Sequence, residues 1–148
     1  MAKEGGLLSR IAVIADLQGR LLGPVLSHAG LTQSSFQLLA AAHASKGQAT
    51  QAEIAVRLGI SPGTLSEAVT EQVRVGLLTQ EPLPRDKRAR ALVLTPQGEA
   101  KIKQVKRMME KIHAAIEADL ESEAVGQTAT VLSHIESKLR DLTSEEAE

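Results

Sequence analysis

The chain of 148 residues has room for one ordinary domain with a sizeable core, and nothing in its length asks for two. It is 43% hydrophobic and 24% charged with a net charge of -1, yet it holds one Phe, no Tyr and no Trp, so its core is expected to be aliphatic. The lack of Cys excludes disulfides, thiolate zinc sites, cysteine nucleophiles and thiol-based oxidant sensing. With Phe36 as the lone aromatic, base stacking on single strands is disfavoured as well, which leaves duplex binding open.

From Leu7 to about Leu26 the apolar residues Ile11, Ile14, Leu17, Leu21 and Val25 recur at helical spacing, predicting a first helix that Gly23-Pro24 should kink or end. After His28-Ala29-Gly30, Thr32 is the expected N-cap of a second helix reaching about Ala44, with Leu31 and Phe36 as a hydrophobic staple. Thr50 and Glu53 form a capping box that opens a short helix with Ile54, Ala55 and Leu58 inward, ended by Gly59. Ser61 then caps a further helix with Pro62 in its first turn. Two helices meeting across a glycine turn are the helix-turn-helix pattern, whose second helix can enter a major groove.

Leu77 to Glu81 and Ala91 to Leu94 are two short strand candidates joined by a loop over 82-90. Thr95-Pro96 opens a long helix whose apolar stripe is Ile102, Val105, Met109, Ile112, Ile116 and Leu120. A last helix over roughly 123-142 repeats the pattern with Val125, Ala129, Leu132, Ile135, Leu139 and Leu142, followed by the acidic tail Glu145 to Glu148. Residues 46-95 hold seven basic and five acidic side chains, whereas residues 96-148 hold seven and eleven, so positive charge gathers on the helix-turn-helix segment. No apolar run is long enough for a membrane helix and no leader pattern precedes the first helix, so a cytoplasmic protein is expected.

This order of parts resembles the MarR family of transcriptional regulators. Three stretches carry the resemblance: Gly30-Leu31-Thr32, the run from Gln51 to Ser61, and Pro84-Arg85-Asp86-Lys87-Arg88 followed by Leu92 to Pro96 and Gly98. The resemblance implies a mainly α fold with a small β-hairpin wing: a winged helix-turn-helix over 31-95 on a helical dimerisation base made of 7-29 and 96-143, all in one domain. It also implies a homodimeric, ligand-responsive repressor that binds a pseudo-palindromic operator in double-stranded DNA. The effector's identity is open, and a crevice near Arg20, His28, His43 and Met108 is one place for it.

With Leu65 and Val69 inward, helical geometry turns Gly63, Glu67, Thr70 and Arg74 to the opposite face, expected to read DNA together with Ser61, Thr64 and Ser66. Glu67 either accepts from a cytosine amino group or is a solvated charge, and Arg74 either meets DNA or pairs with Glu71. In the wing, Arg85, Lys87, Arg88 and Arg90 place four cations in six positions, with Arg88 the first candidate for the narrower minor groove and Asp86 expected to fix its guanidinium. The stripes of the last two helices exceed what a small module must bury and call for a second copy. His28, His43, His113 and His134 lack metal spacing, and no phosphate loop or nucleophile with its base is present, so neither cofactor nor enzymatic activity is expected. The alternative function is a winged-helix protein-interaction module, motivated by the net charge of -1 and by Glu67 and Glu71.

Overall fold

A computed structural model describes residues 6-145, and the end of the acidic tail lies outside the described residues. Six helices and one hairpin follow in the order α1 (Leu7–His28), α2 (Gln33–Ser45), α3 (Gln51–Leu58), α4 (Pro62–Arg74), β1 (Leu78–Leu83), β2 (Asp86–Leu94), α5 (Pro96–Glu117) and α6 (Ser122–Glu145). The chain divides into two compact units, one reaching to Met109 and one from Glu110 onward, so that α5 contributes to both.

Local signals set most helix starts in the first unit. The Thr32 side chain accepts from the Ser35 amide while the Ser35 hydroxyl accepts from the Thr32 amide, a reciprocal box at the α2 N-terminus. Thr50 and Glu53 do the same for α3, and Gly59 closes that helix at φ 65°, a left-handed conformation that glycine adopts without a Cβ clash. Of the two outcomes expected at Gly23-Pro24, an end is not what occurs: α1 continues with Pro24 inside it to His28, where His28-Ala29-Gly30 reads as a terminus. Proline removes one N–H and so forgoes the bond to the carbonyl four residues back, a loss that a 22-residue helix absorbs.

The core of this unit joins Leu38 and Leu39 of α2, Ile54 of α3, Leu65 of α4, Leu78, Leu83 and Leu92 of the hairpin, and Ile102 and Val105 of α5, all fully buried. It is aliphatic throughout, and each such side chain contributes roughly 1.5–3 kcal/mol by leaving water. α2 is central, touching α1, α3, α4 and β2, while α4 also contacts β1.

The hairpin is longer than the sequence suggested. The residues expected as a loop over 82-90 are mostly strand, and the turn is only Pro84-Arg85. A ribbon exposed on both faces needs no apolar alternation, and Pro82 is tolerated because an edge strand has no second partner for its missing N–H. The register runs from Leu78 opposite Leu94 to Pro82 opposite Arg90, then jumps to Leu83 opposite Asp86, leaving Lys87, Arg88 and Ala89 bulged out of register. The hairpin base is tied to the loop before α3 by a bridge between Thr50 and Ala91 and by the Leu92 amide donating to Ala49.

In the second unit α5 ends at Glu117, so Leu120 lies in the following turn and not on the helix. α6 begins at Ser122 and runs a turn beyond the expected end. Its Val131, Leu132, Leu139 and Leu142 are all exposed in the single chain, as are Leu7, Leu8, Ile14 and Leu17 of α1.

Candidate nucleic-acid interface

α4 is aimed by the turn before it. Gly59 reverses the chain, the Ile60 amide donates to Ala55, and Ser61 accepts from the Thr64 amide to start the helix at Pro62. Burial of Leu65 and Val69 on one side leaves Gly63, Thr64, Ser66, Glu67, Thr70 and Arg74 exposed on the other, as helical spacing requires.

The polar groups on this face are not equally free. The Ser61 hydroxyl serves the cap and lies 2.9 Å from the Thr64 hydroxyl, and Thr70 donates to the Ser66 carbonyl at 2.8 Å. Arg74 grips Glu71 with two bonds of 2.8 and 2.7 Å. Hydrogen bonding to each other lowers the Glu71 pKa and raises that of Arg74, so Arg74 is the helix-surface partner of Glu71. Glu67 makes no such pair among the described residues and stands exposed in the middle of the face.

The four wing cations divide into two kinds. Arg85, in the turn, donates to the Gln48 carbonyl at 2.9 Å and pairs with Glu53, so its fork ties the hairpin tip to the start of α3. Lys87, Arg88 and Arg90 are exposed and enter no ion pair among the described residues. Asp86 corrects an expectation: its Oδ1 accepts from the backbone amide of Arg88 at 3.0 Å instead of holding the guanidinium. This short Asx-type bond shapes the bulge and leaves the Arg88 side chain unclamped.

A further cation was missed from sequence. Arg57 is exposed in the last turn of α3, beside the glycine turn that leads into α4, and it enters no ion pair among the described residues. Its position on the outward face of a helix whose inward residues are Ile54 and Ala55 was the available signal.

Glu53 sits at the centre of the local architecture. Its carboxylate accepts from the Thr50 amide at 2.7 Å and from the Thr50 hydroxyl at 3.0 Å, and it also meets Arg85. The bond from the Thr50 backbone is the largest cause of a pKa below the ordinary 4.5, with the Thr50 hydroxyl and Arg85 adding to it. A carboxyl depressed in the folded state stabilises above its unfolded pKa and loses that contribution as pH falls through the lower, folded value. Thermal unfolding of the native chain should therefore lose more stability than Glu53→Gln on acidification from pH 6 to below 4.5. Equal losses in the two proteins would contradict the role given to this carboxylate.

The residues considered for an effector crevice are engaged separately. Arg20 pairs with Asp16 at 2.7 Å, His43 Nδ1 meets Glu99 at 3.0–3.1 Å, and Met108 lines a cavity with Lys103, Gln104 and Arg107. His28 is exposed in the last turn of α1. Among the described residues no group of three or more His, Asp or Glu could hold a metal ion, and no helix is long and apolar enough to cross a membrane.

Two helices meeting across Gly59, a second helix with an outward polar face, and a cationic hairpin define a winged helix-turn-helix. Residues 29-89 match the model of the MarR family. The fold is similar to that of MepR from S. aureus in a structure of its DNA complex, with a TM-score of 0.80 at 18% identity over 93% of this chain and 99% of that one. It is also similar to a mutant MarR from E. coli complexed with operator DNA, with a TM-score of 0.72 at 24% identity over 87% and 92% of the two chains. A third likeness is to CouR from Rhodococcus jostii bound to p-coumaroyl-CoA, with a TM-score of 0.74 at 22% identity over 90% and 92%.

Proposed function

We propose that this chain is a sequence-specific double-stranded DNA-binding transcriptional regulator, acting in the cytoplasm as a homodimeric, ligand-responsive repressor. The observation that carries the reading is the set of exposed wing cations, Lys87, Arg88 and Arg90, which enter no ion pair among the described residues and lie in the same unit as the exposed polar face of α4. Cations without protein partners are available to phosphates, and an exposed helix face of Ser, Thr and Glu offers hydrogen bonds to base edges. Ser61, Gly63, Thr64, Ser66, Glu67 and Thr70 face bases, with Lys87, Arg88 and Arg90 on the backbone or in the minor groove. Asp86 shapes the wing, while Arg74 and Arg85 act through Glu71 and Glu53. No catalytic role or cofactor is proposed.

The exposed apolar residues of α1 and of the last two helices support a dimerisation base over 7-29 and 96-143. Ile14, Leu17, Ile116, Leu132, Leu139 and Leu142 are between 42% and 62% exposed in the single chain, an apolar surface that a second copy would cover. The two DNA-bound neighbours and the p-coumaroyl-CoA-bound one are in keeping with a regulator that exchanges DNA and a small effector.

The alternative, a protein-interaction module, draws on the acidic side chains of α4. Glu71 is neutralised by Arg74, so Glu67 and the net charge of -1 remain to favour it. Fluorescence anisotropy with the duplex upstream of the chain's own gene separates the two readings. Saturable binding that weakens as salt rises is expected, whereas no saturable binding at low salt would favour the interaction module.

A further inference from the structure

Base edges in a major groove are most often read by a free arginine or lysine on guanine, or by a side-chain amide on adenine. α4 has one cation and one amide, and neither is free. Arg74 holds Glu71 with two bonds, and Gln72 is buried on the inward side with Leu65 and Val69. The middle of the outward face carries Glu67 instead, an exposed carboxylate that enters no ion pair among the described residues.

One turn earlier on the same face stands Gly63, the second residue of the helix. Glycine weakens a helix relative to alanine, so its presence there calls for a reason. Backbone conformation supplies none, because the glycines of positive φ are Gly30, Gly47, Gly59 and Gly76. Packing supplies none either: beyond the helix's own backbone, a Cβ at Gly63 would meet only the Ser61 hydroxyl, at 3.9 Å. A glycine that the fold does not require, exposed on the face assigned to DNA, lets a duplex approach the helix more closely than any side chain would.

We propose that Glu67 reads a cytosine in each operator half-site, brought within reach by the bare surface at Gly63. A carboxylate only accepts hydrogen bonds. Guanine presents the acceptors N7 and O6, thymine presents O4, and adenine presents its amine beside the acceptor N7, whereas cytosine presents the N4 amine alone. The unpaired charge has a second effect, because it repels phosphates wherever that amine is missing and so lowers binding to every other duplex. The inference rests on the DNA-binding reading and adds the base that α4 selects.

The test is unbiased duplex selection carried out in parallel with the native chain, Glu67→Gln and Gly63→Ala. Anisotropy then follows on the duplex that the native chain enriches and on a scrambled one. The native chain is expected to enrich cytosine at one position of each half-site, and Glu67→Gln adenine at that same position, because an amide pairs with adenine N6 and N7. Glu67→Gln should bind the natively enriched duplex about tenfold more weakly and the scrambled one more tightly. Gly63→Ala should weaken the enriched duplex by about the same factor, with a melting temperature no lower than that of the native chain. An unchanged base preference in Glu67→Gln, or equally tighter binding to both duplexes, would overturn the cytosine contact and leave Glu67 a solvated charge. Native affinity in Gly63→Ala would overturn the close approach. No enrichment by the native chain would overturn the DNA-binding reading and this one with it, whereas enrichment that Glu67→Gln does not redirect overturns this one alone.

Discussion

Replacing Gly98 by Ala is expected to destabilise the folded chain by about 3 kcal/mol, as an overpacked position with no room to relax does. A Cβ at this position would lie 2.1 Å from the Leu77 carbonyl oxygen, 3.1 Å from its carbon and 3.3 Å from Leu94 Cγ. The obstacle is backbone, so rotamer changes cannot relieve it. The first turn of α5 is pressed there because Thr95 binds both sides of the junction: its hydroxyl donates to the Gly76 carbonyl at 2.6 Å and accepts from the Gly98 amide at 3.1 Å. The Thr95 amide in turn donates to Leu77. The Thr-Pro-Gln-Gly stretch of the sequence is thus a joint that fixes the wing base to α5. Chemical denaturation of Gly98→Ala measures it, and an unchanged midpoint with an unchanged slope would contradict the close packing.

Arg88→Ala is expected to weaken duplex binding on all sequences and to flatten the dependence of log affinity on log salt by about one unit, the loss of one phosphate contact. Arg85→Ala, although only three residues away, should leave that slope in place, because its guanidinium is spent on Gln48 and Glu53. The contrast is informative because the two substitutions remove the same charge. Equal effects on the slope would mean that the wing acts through its net charge and not through particular side chains. An unchanged slope in Arg88→Ala would remove the wing contact altogether.

The helices were legible in sequence because their signals are local. Thr50 with Glu53, Ser61 with Pro62 and Gly59 each act within a few residues, and each cap stands where the spacing placed it. The inward pair Leu65 and Val69 was equally plain, since one stripe settles the whole face of α4. The wing was not, because a polar ribbon with Pro82 in it carries the composition of a loop, and its extent is set by pairing with Gln80, Glu81 and Pro82 across the hairpin. Arg85 and Arg88 look alike in sequence, and only the approach of Glu53 from 32 residues away separates them. For the same reason the Asp86 contact fell on the Arg88 backbone, a bond that composition does not distinguish from an ion pair. Gln72 stands seven residues after Leu65 and three after Val69, so the stripe that turned those two inward also carried the signal for its burial, masked by its polar side chain.

The most direct measurement is unbiased selection of bound duplexes with the purified chain. Enrichment of a pseudo-palindrome whose half-sites lie about 34–36 Å apart, one helical turn, is the result expected of two α4 helices in successive major grooves. Failure to enrich any sequence, or half-sites spaced unlike one turn, would contradict the regulator and its dimer geometry respectively.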